Sequence, residues 1–570
     1  MPRSFQLLLT SAALSALCAC ATPASRPSVA AVQAPAGSER TSVYGLYLAG
    51  QTALASGDSP AAAALFSRAQ AAKPDAIFIK DRLFISALMS GDVPKAAVLA
   101  ADPAGGALTD PSLGSLVQGV EALSQGRNAD AYAKLAQQQQ AIGAVALLKP
   151  WAAAAAGRRA DALAMPDGGD RLLRLVASID QAMLFERAHR HSEAETAFKA
   201  LLVDKSARGL VAEPFGAFLE RRGRRAEAIV LYDQALVDNP GERQLTAARA
   251  RAAAKKVAPA MLTVREGAAD ALMIPAAATL ADKQDEMGLI YLRLILRLDP
   301  TREDALVLTG EVLESLGDIP SARVAYLKVP PKSLRYPDAR TRLALSYQAD
   351  DKATALKIAR ETVAARPDSD LARLTLADLL RSDDQFEEST KVLDPLIASM
   401  GARADWQIYY RRAVALERLN RWPDAQRDLD KALQLKPDQP EVLNYLGYSW
   451  VNRGVKVKDG MAMIQKAVDA QPEEGAFVDS LGWAYYRLGD FKNAVATLER
   501  AVSLEAGDAE INDHLGDAYW RVGRHDEARF QWQAVLTMKP DTEVKARAEA
   551  KLASAEGPDA VVGAVPVQTP

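Results

Sequence analysis

The cysteines and histidines of this 570-residue chain are the side chains whose spacing decides whether it has a metal, redox or thiol site. Only Cys18 and Cys20 are cysteines, so the rest of the sequence can form no disulfide, cysteine–zinc site or iron–sulfur cluster. The four histidines are His189, His191, His514 and His525. They lack a nearby cysteine and the His-Glu-x-x-His spacing of a zinc peptidase. We therefore expect no metal and no cofactor.

Acidic side chains are the remaining candidates for catalysis, and 72 Asp and Glu residues are present. They are spread over predicted helix starts and outer faces, where a carboxylate more often caps a helix or meets solvent than performs acid–base chemistry. No nucleophile elbow, phosphate-binding loop or dinucleotide-binding glycine motif occurs on a strand-to-helix turn. We expect no enzymatic activity and no small-molecule substrate.

The composition is that of a folded chain with little net charge. Lys and Arg number 69 against 72 Asp and Glu, a formal charge of −3, and no long basic block indicates binding to a polyanion. We therefore expect no nucleic-acid partner. Hydrophobic residues make up 49% of the chain, but aromatic residues only 6%. Because 570 residues exceed what one compact core holds, the chain must form several domains or a repeat array.

The first twenty residues have the pattern of an export signal. Arg3 is followed by an apolar run of about 13 residues, 5–17, whereas a membrane-spanning helix needs roughly 20. The four residues LCAC that end at Cys20 resemble a bacterial lipobox, which implies a lipoprotein signal peptide over 1–19 and lipidation of Cys20. The alternative is ordinary cleavage at the small-x-small pattern ACA around Cys20, which leaves a soluble periplasmic protein.

Lipidation at Cys20 would attach the protein to a membrane through its acyl chains. Ala21, rather than aspartate, follows this cysteine, which in the lipoproteins that the signal resembles implies sorting to the outer membrane. Residues 20–42 are rich in Ala, Pro and Ser without an apolar period, and they are predicted to form a flexible tether. The expected location is the periplasmic face of the outer membrane.

Most of the remaining sequence repeats with a period of about 34 residues. Gly447, Gly482 and Gly516 follow one another at spacings of 35 and 34 residues. Residues that recur with similar spacing are Tyr485 and Tyr519, Ala494 and Ala528, Leu498 and Trp532, and Pro437, Pro472 and Pro540. The pattern resembles the tetratricopeptide repeat, which implies an all-α, right-handed α-solenoid of about 13–14 helix-turn-helix units.

Each recurring position has an expected packing role. Gly482 and Gly516 are predicted where the two helices of a unit approach most closely, with Ala494 and Ala528 as the opposing small surface. The prolines end the second helix of a unit. The acidic residues that are predicted to help the next helix begin are Asp438, Glu473 and Asp541. Earlier glycines with the same predicted role are Gly50, Gly119, Gly216 and Gly310.

Interruptions of the period suggest an organisation into parts. The segment 257–266 has no helical period, and we interpret it as a junction; the alternative is an unusual inter-helix loop within one continuous superhelix. The predicted parts are an N-terminal half-solenoid over 43–256, a C-terminal solenoid over 267–542 with its clearest repeats at 406–542, a polar capping helix over 543–556 and a disordered tail over 557–570.

The concave surface of such a solenoid is the expected binding site. In the repeats that this pattern resembles, positions two, five, nine, twelve and thirteen of each first helix line the groove. Mapped onto the last four units, these positions give Tyr410, Arg418, Asn444, Tyr448, Asn452, Asp479, Trp483, Tyr486, Arg487, Asp513, Asp517, Trp520 and Arg521. Aromatic and arginine side chains dominate binding hot spots. Trp483 and Trp520 have the alternative of packing against neighbouring helices.

The charges in this set also have two interpretations. The aspartates either pair with the arginines or face a ligand, and a ligand would then be an extended peptide with apolar and basic side chains. The lysine-and-asparagine clamp of chaperone-binding repeats is not reproduced, because Asn444, Asp479 and Asp513 occupy the fifth positions.

These features together predict a non-enzymatic scaffold that binds protein or peptide partners in the cell envelope. The long lipoproteins that the chain resembles are adaptors, which bind carboxyl-terminal processing proteases and present cell-wall hydrolases to them. The alternative is an assembly scaffold for envelope machinery, such as polysaccharide export, pilus or outer-membrane protein assembly.

Overall fold

The computed structural model describes residues 42–102, 108–137, 143–166, 169–204, 207–554 and 558. The predicted signal peptide, Cys20, almost all of the tether and nearly all of the tail lie outside these residues. Within them the chain is all-α, with thirty α-helices and no strand. It divides into two compact units at Arg366 and Pro367.

The first unit contains nineteen of the described helices, most of them 9 to 18 residues long. They are α1 Val43–Ala55, α2 Ser59–Ala72, α3 Ile77–Ser90, α4 Val93–Ala101, α5 Pro111–Ser124, α6 Asn128–Ala136, α7 Ala144–Ala155, α8 Arg159–Leu163, α9 Arg171–Arg187, α10 His191–Leu201, α11 Arg208–Arg221, α12 Arg225–Asp238, α13 Arg243–Ala253, α14 Val264–Ala281, α15 Asp285–Leu298, α16 Glu303–Ser315, α17 Ile319–Leu327, α18 Tyr336–Tyr347 and α19 Lys352–Ala365.

The second unit contains the other eleven described helices. They are α20 Asp370–Ser382, α21 Phe386–Met400, α22 Trp406–Arg418, α23 Trp422–Leu435, α24 Pro440–Asn452, α25 Val457–Ala470, α26 Gly475–Arg487, α27 Phe491–Leu504, α28 Ala509–Arg521, α29 His525–Thr537 and α30 Thr542–Ala553.

Consecutive helices pack in pairs. Six pairs run from α1 to α12 and eight from α14 to α29, while α13 and α30 are single helices in the described chain. Fourteen helix pairs and the lack of any described strand confirm the prediction of an all-α solenoid of about 13–14 units.

The recurring glycines let the two helices of a pair approach closely, as the sequence predicts. A Cβ added to Gly482 would lie 2.6 Å from Leu498, and one on Gly516 would lie 2.4 Å from the Trp532 ring. In both pairs the contacting side chain follows the glycine by sixteen residues. The same spacing relates Gly50 to Phe66, Gly119 to Leu135, Gly216 to Tyr232 and Gly310 to Tyr326. Ala494 and Ala528 are fully buried, but the side chains closest to the glycines lie one helical turn beyond them.

The helix ends follow the predicted signals in part. Pro437, Pro472 and Pro540 lie just beyond the ends of α23, α25 and α29. Asp541 caps α30 by accepting hydrogen bonds from two backbone amides, of Glu543 and Val544. Asp438 and Glu473 do not cap their helices, because α24 and α26 begin one residue later than a cap at these positions requires and have no side-chain cap.

The predicted junction at 257–266 lies inside the first unit rather than at the boundary between units. The non-helical segment ends at Thr263, whose side chain forms a capping box with Glu266 at the start of α14. Two arginines hold the segment in place by donating to its carbonyl groups, Arg187 to Leu262 and Arg221 to Pro259.

Helices α14 and α15 pack across the first helices of earlier pairs, which explains why the unit continues past residue 266. α14 packs against α7 and α9, and α15 packs against α3 and α5. At Gly267 a Cβ would lie 2.2 Å from the Trp151 ring, so glycine permits this contact. Arg297 of α15 forms a bidentate ion pair with Glu121, which is nearly buried. The chain's own helices therefore cover these inner faces of the first unit.

Candidate protein-binding groove

The thirteen candidate residues lie on first helices of the second unit: α22, α24, α26 and α28. On each helix, apolar residues such as Leu481 and Leu515 pack into the core. Because side chains three and four residues apart share one helix face, the candidate positions lie along one side of each first helix and form a stripe. Trp483 and Tyr486 belong to the same apolar core, and Tyr448 and Trp520 pack against it.

Burial divides the set into three groups. Arg418 and Asn452 are exposed. The buried residues are Asp479, Trp483, Tyr486, Asp513 and Asp517. The half-buried residues are Tyr410, Asn444, Tyr448, Arg487, Trp520 and Arg521. Packing between neighbouring repeats therefore accounts for much of this stripe, and the accessible part lies toward α22 and α24.

Trp483 takes the packing role that the sequence left as its alternative. Its ring stacks on Tyr486 with centroids 4.7 Å apart and on His514 of the next repeat at 4.2 Å. Trp520 is half-buried and stacks on His525 at 4.1 Å. Stacking of this kind fixes the rotation of each first helix against its neighbour.

Asp479 forms an ion pair with His514, a residue outside the groove positions that the repeat pattern predicts. Both carboxylate oxygens of Asp479 lie 3.0 Å from Nδ1 of the buried imidazole. Burial by itself lowers the pKa of His514, but the charge of Asp479 and its hydrogen bond outweigh burial and raise the pKa to about 9. The imidazole is therefore protonated at neutral pH.

Asp513 and Asp517 share one buried cation, Lys551 of α30. The Lys551 ammonium lies 2.8 Å from Asp513 and 2.7 Å from Asp517, and all three side chains are at most 2% exposed. Asp517 also accepts a hydrogen bond from Trp532 Nε1 at 3.2 Å. Burial raises the pKa of Asp517, and Lys551 opposes that rise. The sequence pattern predicts only a polar cap for α30 and does not single out Lys551.

The contacts that the structure shows for the candidate arginines are with carbonyl, hydroxyl and aromatic groups, whereas one interpretation of the sequence paired them with the aspartates of the stripe. Arg487 Nη1 donates to the backbone carbonyl of Asn452 at 2.8 Å. Arg521 Nε donates to the hydroxyl of Tyr486 at 3.1 Å, and Arg418 lies over the Phe386 ring at 5.5 Å. The aspartates pair with cationic side chains on other helices, His514 of α28 and Lys551 of α30.

Two tyrosines complete the wall on α22 and α24. Tyr410 contacts the Tyr445 ring edge-on, with centroids 5.6 Å apart. Burial raises the pKa of the Tyr448 phenol, and the negative charges of Glu510 and Asp479 add to that rise. The Tyr448 hydroxyl is therefore a neutral hydrogen-bonding group at physiological pH.

Three polar atoms of the stripe are buried and, within the part of the chain that the structure describes, have no hydrogen-bond partner. They are Asn444 Oδ1, Trp483 Nε1 and Arg487 Nε. Burial also lowers the pKa of Arg487. Buried polar atoms in folded proteins are nearly always paired, and an unpaired one costs about 1–3 kcal/mol. One acceptor and two donors on the adjacent helices α24 and α26 thus have unused hydrogen-bonding capacity.

Two other kinds of feature are absent from the described residues. These residues contain no group of three or more His, Cys, Asp or Glu side chains arranged to hold a metal ion. No helix among them has the length and apolar character needed to cross a membrane.

Comparisons with known proteins identify the repeats. Residues 406–439 and 480–541 match models of the tetratricopeptide repeat, and both ranges fall where the sequence pattern is clearest. A TPR repeat-containing protein of Pseudomonas aeruginosa is 28% identical over 118 residues, which are 21% of this chain and 20% of the relative. The match thus spans about a fifth of that curated relative's length.

Solved structures with a similar arrangement of helices are distant in sequence. The Cut9–Hcn1 hetero-tetramer of the APC/C is 15% identical, with a TM-score of 0.38 over 89% of this chain and 96% of that one. YrrB, described as a TPR protein with an unusual peptide-binding site, is 16% identical, with a TM-score of 0.26 over 34% of this chain and 97% of its own.

Proposed function

We propose, on the premise that the chain contains tetratricopeptide repeats, that its second unit is a binding site for an extended segment of a partner protein. The observation that carries this proposal is the part of the stripe on α22 and α24 that packing leaves accessible, namely exposed Arg418 and Asn452 and half-buried Tyr410, Asn444 and Tyr448. They lie at positions that the repeat pattern assigned to the groove. The protein acts as a scaffold and not as an enzyme.

A peptide backbone is the ligand whose chemistry fits these side chains. Each residue of an extended chain offers one N–H donor and one C=O acceptor. The side-chain amides of Asn444 and Asn452 each offer both a donor and an acceptor, which match those backbone groups. Exposed Asn452 and half-buried Tyr410 and Tyr448 provide the surface that contacts the partner's side chains.

Site-specific photo-crosslinking in intact cells tests the groove. A photoreactive phenylalanine analogue replaces Asn452, which is exposed on the groove, and a control protein carries it at Phe530, which is 65% exposed on the second helix α29. We expect a discrete crosslinked protein from position 452 and none, or a different set, from position 530. The same crosslinks from both positions, or none from 452, would contradict the proposal.

The cellular setting is a finer part of the proposal. Lipidation at Cys20 anchors the protein to the outer membrane, and the partners are a carboxyl-terminal processing protease and the cell-wall hydrolases that it cleaves. The resemblance of the first twenty residues to a lipoprotein signal and the repeats that follow support this setting. Pull-down from detergent-solubilised envelopes tests it, with recovery of such a protease as the expected result. Recovery of polysaccharide-export or pilus components instead would favour the assembly role.

A further inference from the structure

The first helix, α1, carries an apolar stripe that faces away from the rest of the unit. None of its thirteen residues is charged. Leu46 and Gly50 are buried against α2, whereas Tyr44 and Leu48, one turn apart on another face, are 66% and 64% exposed. A terminal element of a repeat array normally has a polar outer face, because no further repeat covers it.

The other terminal helix of the described chain follows that rule. The outer face of α30 carries Glu543, Lys545 and Glu549, all exposed. The difference between α1 and α30 makes the apolar face of α1 a feature to be explained, since large exposed apolar patches usually mark interaction sites.

Neighbouring residues on α3 enlarge the patch. Ile77 and Phe78 are 44% and 43% exposed, although most side chains of that helix are buried. The Phe78 ring contacts the Tyr47 ring edge-on, with centroids 5.2 Å apart. Tyrosine, phenylalanine and leucine together are typical of surfaces that enter the boundary between lipid headgroups and acyl chains, where one end of the side chain is apolar and the other is wet.

The length of chain between Cys20 and α1 sets the distance that an anchor at Cys20 allows between this patch and a membrane. Residues 20–41 number 22, and even a fully extended chain of that length spans at most about 75 Å. Lipidation at Cys20, as in the proposed function, therefore keeps α1 within that distance of the bilayer.

We infer that the face of α1 and α3 formed by Tyr44, Tyr47, Leu48, Ile77 and Phe78 docks on the lipid bilayer. We name it the docking face. This inference rests on the membrane anchor of the proposed function, and it adds a second, non-covalent contact that orients the first unit on the membrane. The occupant is the interfacial region of the bilayer, not a second copy of the chain.

Vesicle binding without the lipid tests the docking face by itself. The chain from residue 20 with Cys20→Ala is mixed with vesicles of phosphatidylethanolamine and phosphatidylglycerol and sedimented. Tyr44→Ser with Leu48→Ser is compared with a control pair on exposed sites of second helices, Val237→Ser with Phe530→Ser. We expect the first pair to reduce the bound fraction about fivefold or more and the control pair to leave it unchanged, with both variants unfolding at the parent's temperature.

A dye placed on the docking face reports contact directly. Cys20→Ala removes the last cysteine from this chain, so Leu48→Cys or Val237→Cys introduces a single thiol for an environment-sensitive fluorophore. We expect a blue shift with vesicles at position 48 and none at 237. Equal shifts, no vesicle binding by the parent, or a halving of molar mass on Tyr44→Ser with Leu48→Ser, which would show a dimer contact, each overturn the inference. Mass spectrometry of Cys20 in the native protein decides lipidation independently.

Discussion

Replacing Lys551 by methionine should lower the stability of the C-terminal end of the second unit more than any surface substitution does. The variant keeps the length of the side chain but leaves Asp513 and Asp517 buried without their shared cation. Removing one partner of a buried ion pair costs roughly 3–5 kcal/mol, because the remaining charge has lost both water and its counter-ion. Arg547, 3.3 Å from Asp513, compensates in part, so we expect about 3 kcal/mol.

The assay is denaturant unfolding monitored by tryptophan fluorescence, because the Lys551 ammonium lies 5.8 Å from the centroid of the Trp532 ring. Lys545→Met is the matched control: the Lys545 ammonium is exposed and pairs with Glu549 at 3.8 Å, so we expect a loss below about 0.5 kcal/mol. The deficit of Lys551→Met should shrink from about pH 8 to about pH 5, because Asp517, whose pKa burial raises, becomes protonated. If Lys551→Met lost no more than about 1 kcal/mol of unfolding free energy beyond the control at both pH values, a stabilising role for the buried ion pair would be contradicted.

Three further predictions concern other parts of the chain. Gly516→Val should lower the free energy of unfolding by about 2–3 kcal/mol, because an added Cβ lies 2.4 Å from the Trp532 ring, whereas Gly507→Ala, which meets no atom within 4 Å, should be nearly neutral in the same thermal melts. Folding raises the pKa of His514, so its contribution to the free energy of unfolding should be fully present below about pH 6.5 and lost as the pH rises through about 9. If the free energy of unfolding of His514→Gln had the same pH dependence as that of the parent, this prediction would be contradicted. Cys20→Ala should move the protein from the membrane to the soluble fraction of cells, and unchanged sedimentation would count against lipidation.

The repeat pattern predicted most of the fold because it reflects contacts between helices that are close in sequence. Gly482 and Leu498, or Gly516 and Trp532, meet within one helix pair, so a fixed spacing of sixteen residues suffices to predict their contact. Each pair then buries its apolar faces against the next, and repetition generates the array.

The repeat pattern does not predict contacts between helices that are far apart in sequence. Arg297 meets Glu121 across 176 residues because α15 packs against α5, and no period relates these positions. The predicted junction at 257–266 therefore lies within a unit, although its sequence does lack a helical period, as the structure shows over 257–263.

The sequence assigned the candidate residues to first helices but did not predict their contacts. Asp513 lies where the pattern places it, yet its ion pair with Lys551 depends on the rotation of α30, which a polar helix does not fix by sequence alone. Trp483 shows the same limit, since stacking on His514 and exposure to a ligand require the same residue type.

The affinity of the second unit for the segment captured at position 452 is the measurement that tests the account most directly. Fluorescence anisotropy with that segment as a labelled peptide compares the parent with Asn444→Ala and Asn452→Ala, each of which removes one side-chain amide from the accessible part of the stripe. A neutral hydrogen bond contributes about 0.5–1.5 kcal/mol, so each variant should bind about two- to tenfold more weakly. Unchanged affinity in both variants, with the fold intact, would contradict binding in this groove.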